Sequence, residues 1–122
     1  MNNEFGLFIR NIRKDRGINL RTFAKLAGKS ASYISSIETG KRSAPSIAVL
    51  ENFAEILCLD NRDKTCMLDL AAKSKSKPAV AIDLVTYINE NRLVHEVLRF
   101  SKAHKVEITD WKNFMNTLKE KY

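Results

Sequence analysis

Apolar residues return at intervals of three and four along most of this chain, the spacing that lines one face of an α-helix. Phe5, Phe8, Ile9 and Ile12 predict a first helix from about Asn3 to Asp15, stopped by Gly17. Leu20, Phe23, Ala24 and Ala27 repeat the same interval behind Asn19, a natural cap. Gly28 breaks that run where a left-handed turn costs least, and Ser30 caps the next helix, which starts at about Ala31. Ile34 and Ile37 point inward on it, Ser32, Ser35, Ser36 and Thr39 lie elsewhere on its surface, and Gly40 ends it. Pro45 opens or Ser46 caps a fourth helix, with Ile47, Leu50, Phe53, Ala54 and Leu57 inward and Glu51 and Glu55 outward. Asp60 caps a fifth, running to about Ala72, with Cys66, Met67, Leu70 and Ala71 on its buried side.

Lys73 to Pro78, KSKSKP, is polar, basic and closed by proline, so it reads as a linker. Three further helices follow. One lies near Val80 to Ile88, and one is capped by Asn91 and carries Leu93, Val94, Val97, Leu98 and Phe100. The last is capped by Thr109 and carries Trp111, Phe114, Met115 and Leu118. The expected organisation is all-α: a five-helix bundle over residues 1–72, a linker over 73–78, and a small C-terminal helical extension over 79–122. A unit of about 45 residues is near the lower limit for folding alone, so the extension should pack on the bundle or on another copy of itself. The Trp111 stripe then serves as plain core or as a dimer interface.

Composition narrows the class. Hydrophobic residues make up 44% of the chain, which excludes wholesale disorder. No run approaches the ~18 apolar residues of a membrane span, and the N-terminus lacks the apolar middle of a secretory signal, so a cytoplasmic protein is expected. Cys58 and Cys66 form no CxxC and have no matching histidine pair; they are expected to be reduced core residues. His95 and His104 are not at the i, i+4 spacing of a helical metal pair, so no metal site is signalled. No phosphate loop, nucleophile elbow or carboxylate pair appears, and neither an enzyme nor a cofactor is expected.

Charge adds a direction. The net charge is +7, and residues 10–42 hold nine bases against two acids; the remaining twelve bases and twelve acids cancel. All the excess therefore sits on the first three helices and the loop after them, which favours a polyanion, most simply nucleic acid.

The segment FAKLAGKSASYISSIETGKR resembles the Xre/Cro family of prokaryotic and phage helix-turn-helix regulators, also called lambda/434 repressor-like. Phe23-Ala24 takes the place of the family's LA dipeptide, Gly28 its turn, Ser30 its cap, Ile34 and Ile37 its apolar pair, and Glu38-Thr39-Gly40 its ending. The likeness extends from about Phe5 to Ala72. One departure is Lys29, where the family places an apolar residue; its stem can lie on apolar surface with the head in water.

The resemblance implies the roles. Ala31, Ser32 and Ser36 would read bases in the major groove, with Tyr33 and Ser35 beside them. None is the Arg, Asn or Gln of a bidentate base contact, so recognition should lean on thymine methyls, single hydroxyls, bridging water and DNA shape. Asn19, Ser30, Lys41 and Arg42 would face the phosphates, with Arg21 and Lys29 as weaker candidates. Arg13 and Glu38 occupy the places of a structural ion pair. The expected function is a regulator, a repressor rather than an activator, that reads a palindromic operator in double-stranded DNA as a homodimer joined through Trp111, Phe114, Met115 and Leu118. The rivals are an antitoxin or other interaction protein whose C-terminal helices hold a protein partner, and a sensor in which they bind a peptide or small ligand.

Overall fold

The computed structural model describes residues 3–77 and 79–122; Pro78, the end of the expected linker, lies outside them, as do the first two residues. Among the described residues there are eight α-helices and no strand: α1 (Glu4–Asp15), α2 (Leu20–Ala27), α3 (Ala31–Glu38), α4 (Ile47–Ile56), α5 (Asn61–Lys73), α6 (Ile82–Glu90), α7 (Arg92–Ala103) and α8 (Ile108–Lys121). The chain divides into two compact units, Met1–Val85 and Thr86–Tyr122, with the division inside α6.

In the first unit the periodic faces meet in one core. Phe5 and Ile9 of α1, Phe23, Ala24 and Ala27 of α2, and Ile34 and Ile37 of α3 are buried together with Leu50, Phe53 and Ala54 of α4 and Met67, Leu68 and Ala71 of α5. The Phe23 and Phe53 rings lie 5.0 Å apart at 55°, joining α2 to α4 in a tilted aromatic pair. Helix α1 packs on α3 and α5, and α2 on α3 and α4.

The approach of α1 to α3 is close enough to require a missing side chain. A Cβ on Gly6 would collide with the carbonyl oxygen of Ile37 and lie 2.6 Å from that of Glu38. Farther along the same two helices, the buried Arg13 fork holds Glu38 bidentately, Nε to Oε2 at 2.7 Å and Nη2 to Oε1 at 2.8 Å. Nη1 also donates to the Ile18 carbonyl at 3.0 Å, so the fork's donors are used inside the fold. Hydrogen bonding to Glu38 raises the Arg13 pKa above its ordinary value, and the Glu38 charge adds to this against the opposing pull of burial. One more tie, Arg16 Nε to the Leu57 carbonyl at 3.0 Å, fastens the end of α1 to the end of α4.

Four expectations about local structure need correction. On α5 the buried positions are Met67, Leu68 and Ala71, while Cys66 is exposed, so the helix is turned one position from the expected phase. Both cysteines are free and exposed, not core residues. Glu107, not Thr109, caps α8: its carboxylate and that of Asp110 form a reciprocal capping box. Ser46 and Asn91 precede α4 and α7 without a side-chain cap hydrogen bond, and the Asn91 amide donates instead to the Tyr87 carbonyl at 2.6 Å.

Inside the expected linker, the Ser74 hydroxyl accepts from the Ala44 amide at 3.0 Å and Lys75 Nζ donates to the Ala44 carbonyl at 2.9 Å. The second unit lacks a core of its own, since no residue from 86 to 122 is buried. Phe114 and Met115 are 52% and 53% exposed, and Trp111 is half-buried, so the α8 stripe is not plain core. Leu93, Phe100 and Ile108 are more exposed still.

Candidate nucleic-acid interface

Two caps and a left-handed turn hold α2 and α3 in place. Asn19 Oδ1 accepts from the Thr22 amide at 2.8 Å, and Ser30 Oγ accepts from the Tyr33 amide at 3.1 Å. Between them Gly28 adopts φ 67°, a conformation that a side chain would strain. The caps engage the Thr22 and Tyr33 amides, so an anion arriving at Asn19 or Ser30 meets the remaining first-turn amides together with the Asn19 Nδ2 and Ser30 hydroxyl protons.

With Ile34 and Ile37 buried, α3 leaves its other face open. An open groove of about 350 Å³ follows it, lined by Leu20, Ala31, Ser32, Ser35, Ser36, Thr39 and Lys41. Four of the expected base-reading residues, Ala31, Ser32, Ser35 and Ser36, line this one groove. Tyr33 lies outside it. Leu20 and Thr39 were not among the expected site residues; Thr39 shares the outer surface of α3 with the serines, which was the available signal, whereas the half-buried position of Leu20 at the groove left none in the apolar spacing.

The hydroxyls are not equivalent. Ser36 Oγ donates to the Tyr33 carbonyl at 2.6 Å, and Thr39 Oγ1 donates to the Ser35 carbonyl at 2.8 Å. Such back-bonding spends the proton and leaves only acceptor capacity. The Ser32 and Ser35 hydroxyls make no hydrogen bond among the described residues and stay available in both senses.

The cations surround this face. Arg21, Lys29, Lys41 and Arg42 are all exposed, and Lys41 lines the groove. Arg42 reaches back to α3: its amide donates to the Ser36 carbonyl at 3.0 Å and its Nε to Ser36 Oγ at 3.3 Å. A capped helix pair, an open groove on the second helix lined by hydroxyls and apolar side chains, and cations at its edge form the arrangement of a helix-turn-helix. The helix-turn-helix domain family matches residues 4–65, about half of the chain. The chain belongs to that family.

Relatives of this helix-turn-helix protein are regulators. Over 66 residues it is 36% identical to the HTH-type transcriptional regulator SinR of Bacillus licheniformis, covering 49% of this chain and 60% of that protein. It is 40% identical over 52 residues to SinR of Bacillus subtilis strain 168, covering 43% and 47% of the two chains. Over 53 residues it is 40% identical to the HTH-type transcriptional repressor RghR of the same strain, covering 43% and 39%. The match spans less than two thirds of each of these relatives. A solved complex of the SinR and SinI proteins overlays 96% of each chain at 23% identity with a TM-score of 0.49.

Elsewhere the helix-turn-helix protein offers less chemistry. A second open groove, about 460 Å³, lies at the end of α4 and the start of α5 and is lined by Glu51, Ala54, Glu55, Cys58, Leu59, Asn61 and Lys64. His95 is half-buried, and His104 stacks on Phe100 with centroids 4.0 Å apart. Among the described residues no helix is long and apolar enough to cross a membrane.

Proposed function

We propose that this chain is a sequence-specific DNA-binding transcriptional regulator, a repressor that reads a palindromic operator as a homodimer in the cytoplasm. The observation that carries the proposal is the α3 groove, in which Ser32 and Ser35 keep free hydroxyls between the apolar Leu20 and Ala31 and the cationic Lys41. Residues 1–72 act as a five-helix repressor-like bundle. Within it α3 enters the major groove, Ala31, Ser32, Ser35 and Ser36 read base edges, and Arg21, Lys29, Lys41 and Arg42 neutralise phosphates beside the amides at Asn19 and Ser30. Arg13 and Glu38 fix the angle between α1 and α3. The relatives' names support regulation and repression, and no catalytic step is assigned.

The exposed apolar residues of α7 and α8, Phe114, Met115 and Leu118 among them beside the half-buried Trp111, favour joining two copies, which would set two α3 helices one turn of DNA, about 34 Å, apart. The same exposure supports a second reading, in which this surface holds a protein or peptide partner. Deletion after Lys77 separates them: under the first it abolishes dimerisation, under the second partner capture. Selection of bound duplexes from a random pool tests the main proposal. A recovered palindrome with A·T steps, suited to methyl and hydroxyl contacts, is the expected result, and salt-sensitive binding without sequence preference would overturn it.

A further inference from the structure

Lys29 departs from the apolar residue that the resembling family carries, and its position explains the departure. Its Nζ lies 5.4 Å from the centroid of the Tyr33 ring, and Arg42 Cζ lies 5.0 Å from the same centroid. Lys29 comes from the turn before α3 and Arg42 from the loop after it, so one ring gathers two cations from both ends of the helix. The backbone that carries the ring is anchored. The Tyr33 amide is capped by Ser30, its carbonyl accepts from Ser36 Oγ, and that hydroxyl in turn accepts from Arg42 Nε. Two like charges brought to one ring repel each other; the ring's negative face offsets part of that cost, and an arriving anion removes it. The phenol oxygen has no hydrogen-bond partner among the described residues, so the ring and not the hydroxyl does the gathering.

We infer that Tyr33 is a positioning residue, and that Lys29, Tyr33 and Arg42 form a preformed two-cation clamp for the phosphate backbone that carries no base information. The inference rests on α3 facing DNA and assigns Tyr33 a role different from its neighbours Ser32 and Ser35. A preformed clamp spares two long side chains the ordering that binding otherwise costs, so its effect falls on every duplex equally.

The test measures full-length protein on the selected operator and on a scrambled duplex, by fluorescence anisotropy at two salt concentrations. Tyr33→Phe should bind both within about twofold of wild type. Tyr33→Leu should lose about tenfold on both, the scale of ordering two side chains, with the operator-to-scrambled ratio unchanged. A further Arg42→Ala change should then cost less than it does in wild type. A changed ratio would make Tyr33 a base reader and overturn the inference, as would a failure of Tyr33→Phe or an unaffected Tyr33→Leu. If Tyr33→Leu does not fold, the ring-current shifts of the wild-type Lys29 Hε and Arg42 Hδ protons decide: upfield shifts support the clamp, and values like those of Lys25 and Arg21 end it. Should wild type show no operator preference, the proposed function fails while the scrambled-duplex arm still tests the clamp.

Discussion

Glu38 and Gly6 each show one atom group deciding the placement of α3. Glu38 is buried against Arg13, so Glu38→Gln leaves a buried guanidinium without its counter-charge; loss of one member of such a pair costs about 3–5 kcal/mol. Chemical denaturation should show a fall of that size, and an unchanged midpoint would remove the pair from the account of stability. The guanidinium side of the brace is insensitive to ordinary pH changes. Its pKa is raised on folding, so its contribution is fully present below the unfolded value and fades only as pH climbs through the folded one, in strong alkali. For Gly6 two effects compete. Helix propensity alone makes Gly6→Ala stabilising by about 1 kcal/mol. The new methyl, however, meets two backbone carbonyls of α3, which cannot rotate away as a side chain would, and overpacking of that kind costs about 1–3 kcal/mol. Net destabilisation is therefore expected, and a raised melting temperature for Gly6→Ala would mean that α1 and α3 move apart at little cost.

At the scale of elements, what was legible depended on whether the signal was local. The starts of α2, α3 and α5 follow from Asn19, Ser30 and Asp60, short acceptors placed directly before a periodic apolar run, and each accepts the expected amide. The start of α8 was not legible because glutamate is a rare cap and Thr109 competes for the role; only the reciprocal bond with Asp110 distinguishes them. Glu107→Ala should loosen that first turn by about 1 kcal/mol. Faster hydrogen exchange at the Asp110 and Trp111 amides would register it, and unchanged exchange would show the box to be dispensable. On α5 a helix of mixed apolar residues fits two phases one position apart, and Leu68 prevails over Cys66 because it buries more apolar surface. The candidate face of α3 could be drawn from periodicity, but the partners of its hydroxyls could not. Ser36 is engaged by Arg42 from a loop, and Lys29 meets Tyr33 from outside the helix, so neither contact leaves a trace in the helical repeat.

For the molecule as a whole, the outstanding quantity is how many copies act together. A chain that leaves Phe100, Ile108, Phe114 and Met115 exposed keeps apolar surface in water at about 25 cal/mol per Å², which association would recover. Light scattering should find a dimer at micromolar concentration, and Phe114→Ser with Met115→Ser should shift it to monomer without changing the melting of the first unit. A wild-type monomer, both alone and on operator DNA, would sink the dimeric part of the proposal.

The two grooves of the first unit also differ in sign, and this bears on how a complex begins. One is edged by Lys41 and linked through Ser36 to Arg42; the other carries Glu51 and Glu55 against the single Lys64. A unit so divided feels a torque in the field of a polyanion and turns before it touches, so that collisions arriving the wrong way round are corrected in flight. Raising salt from about 50 to 200 mM shortens the range of that field, and stopped-flow mixing should show the association rate falling steeply. Dissociation from the operator should change much less. Equal changes in both rates would mean that the charge acts only after contact.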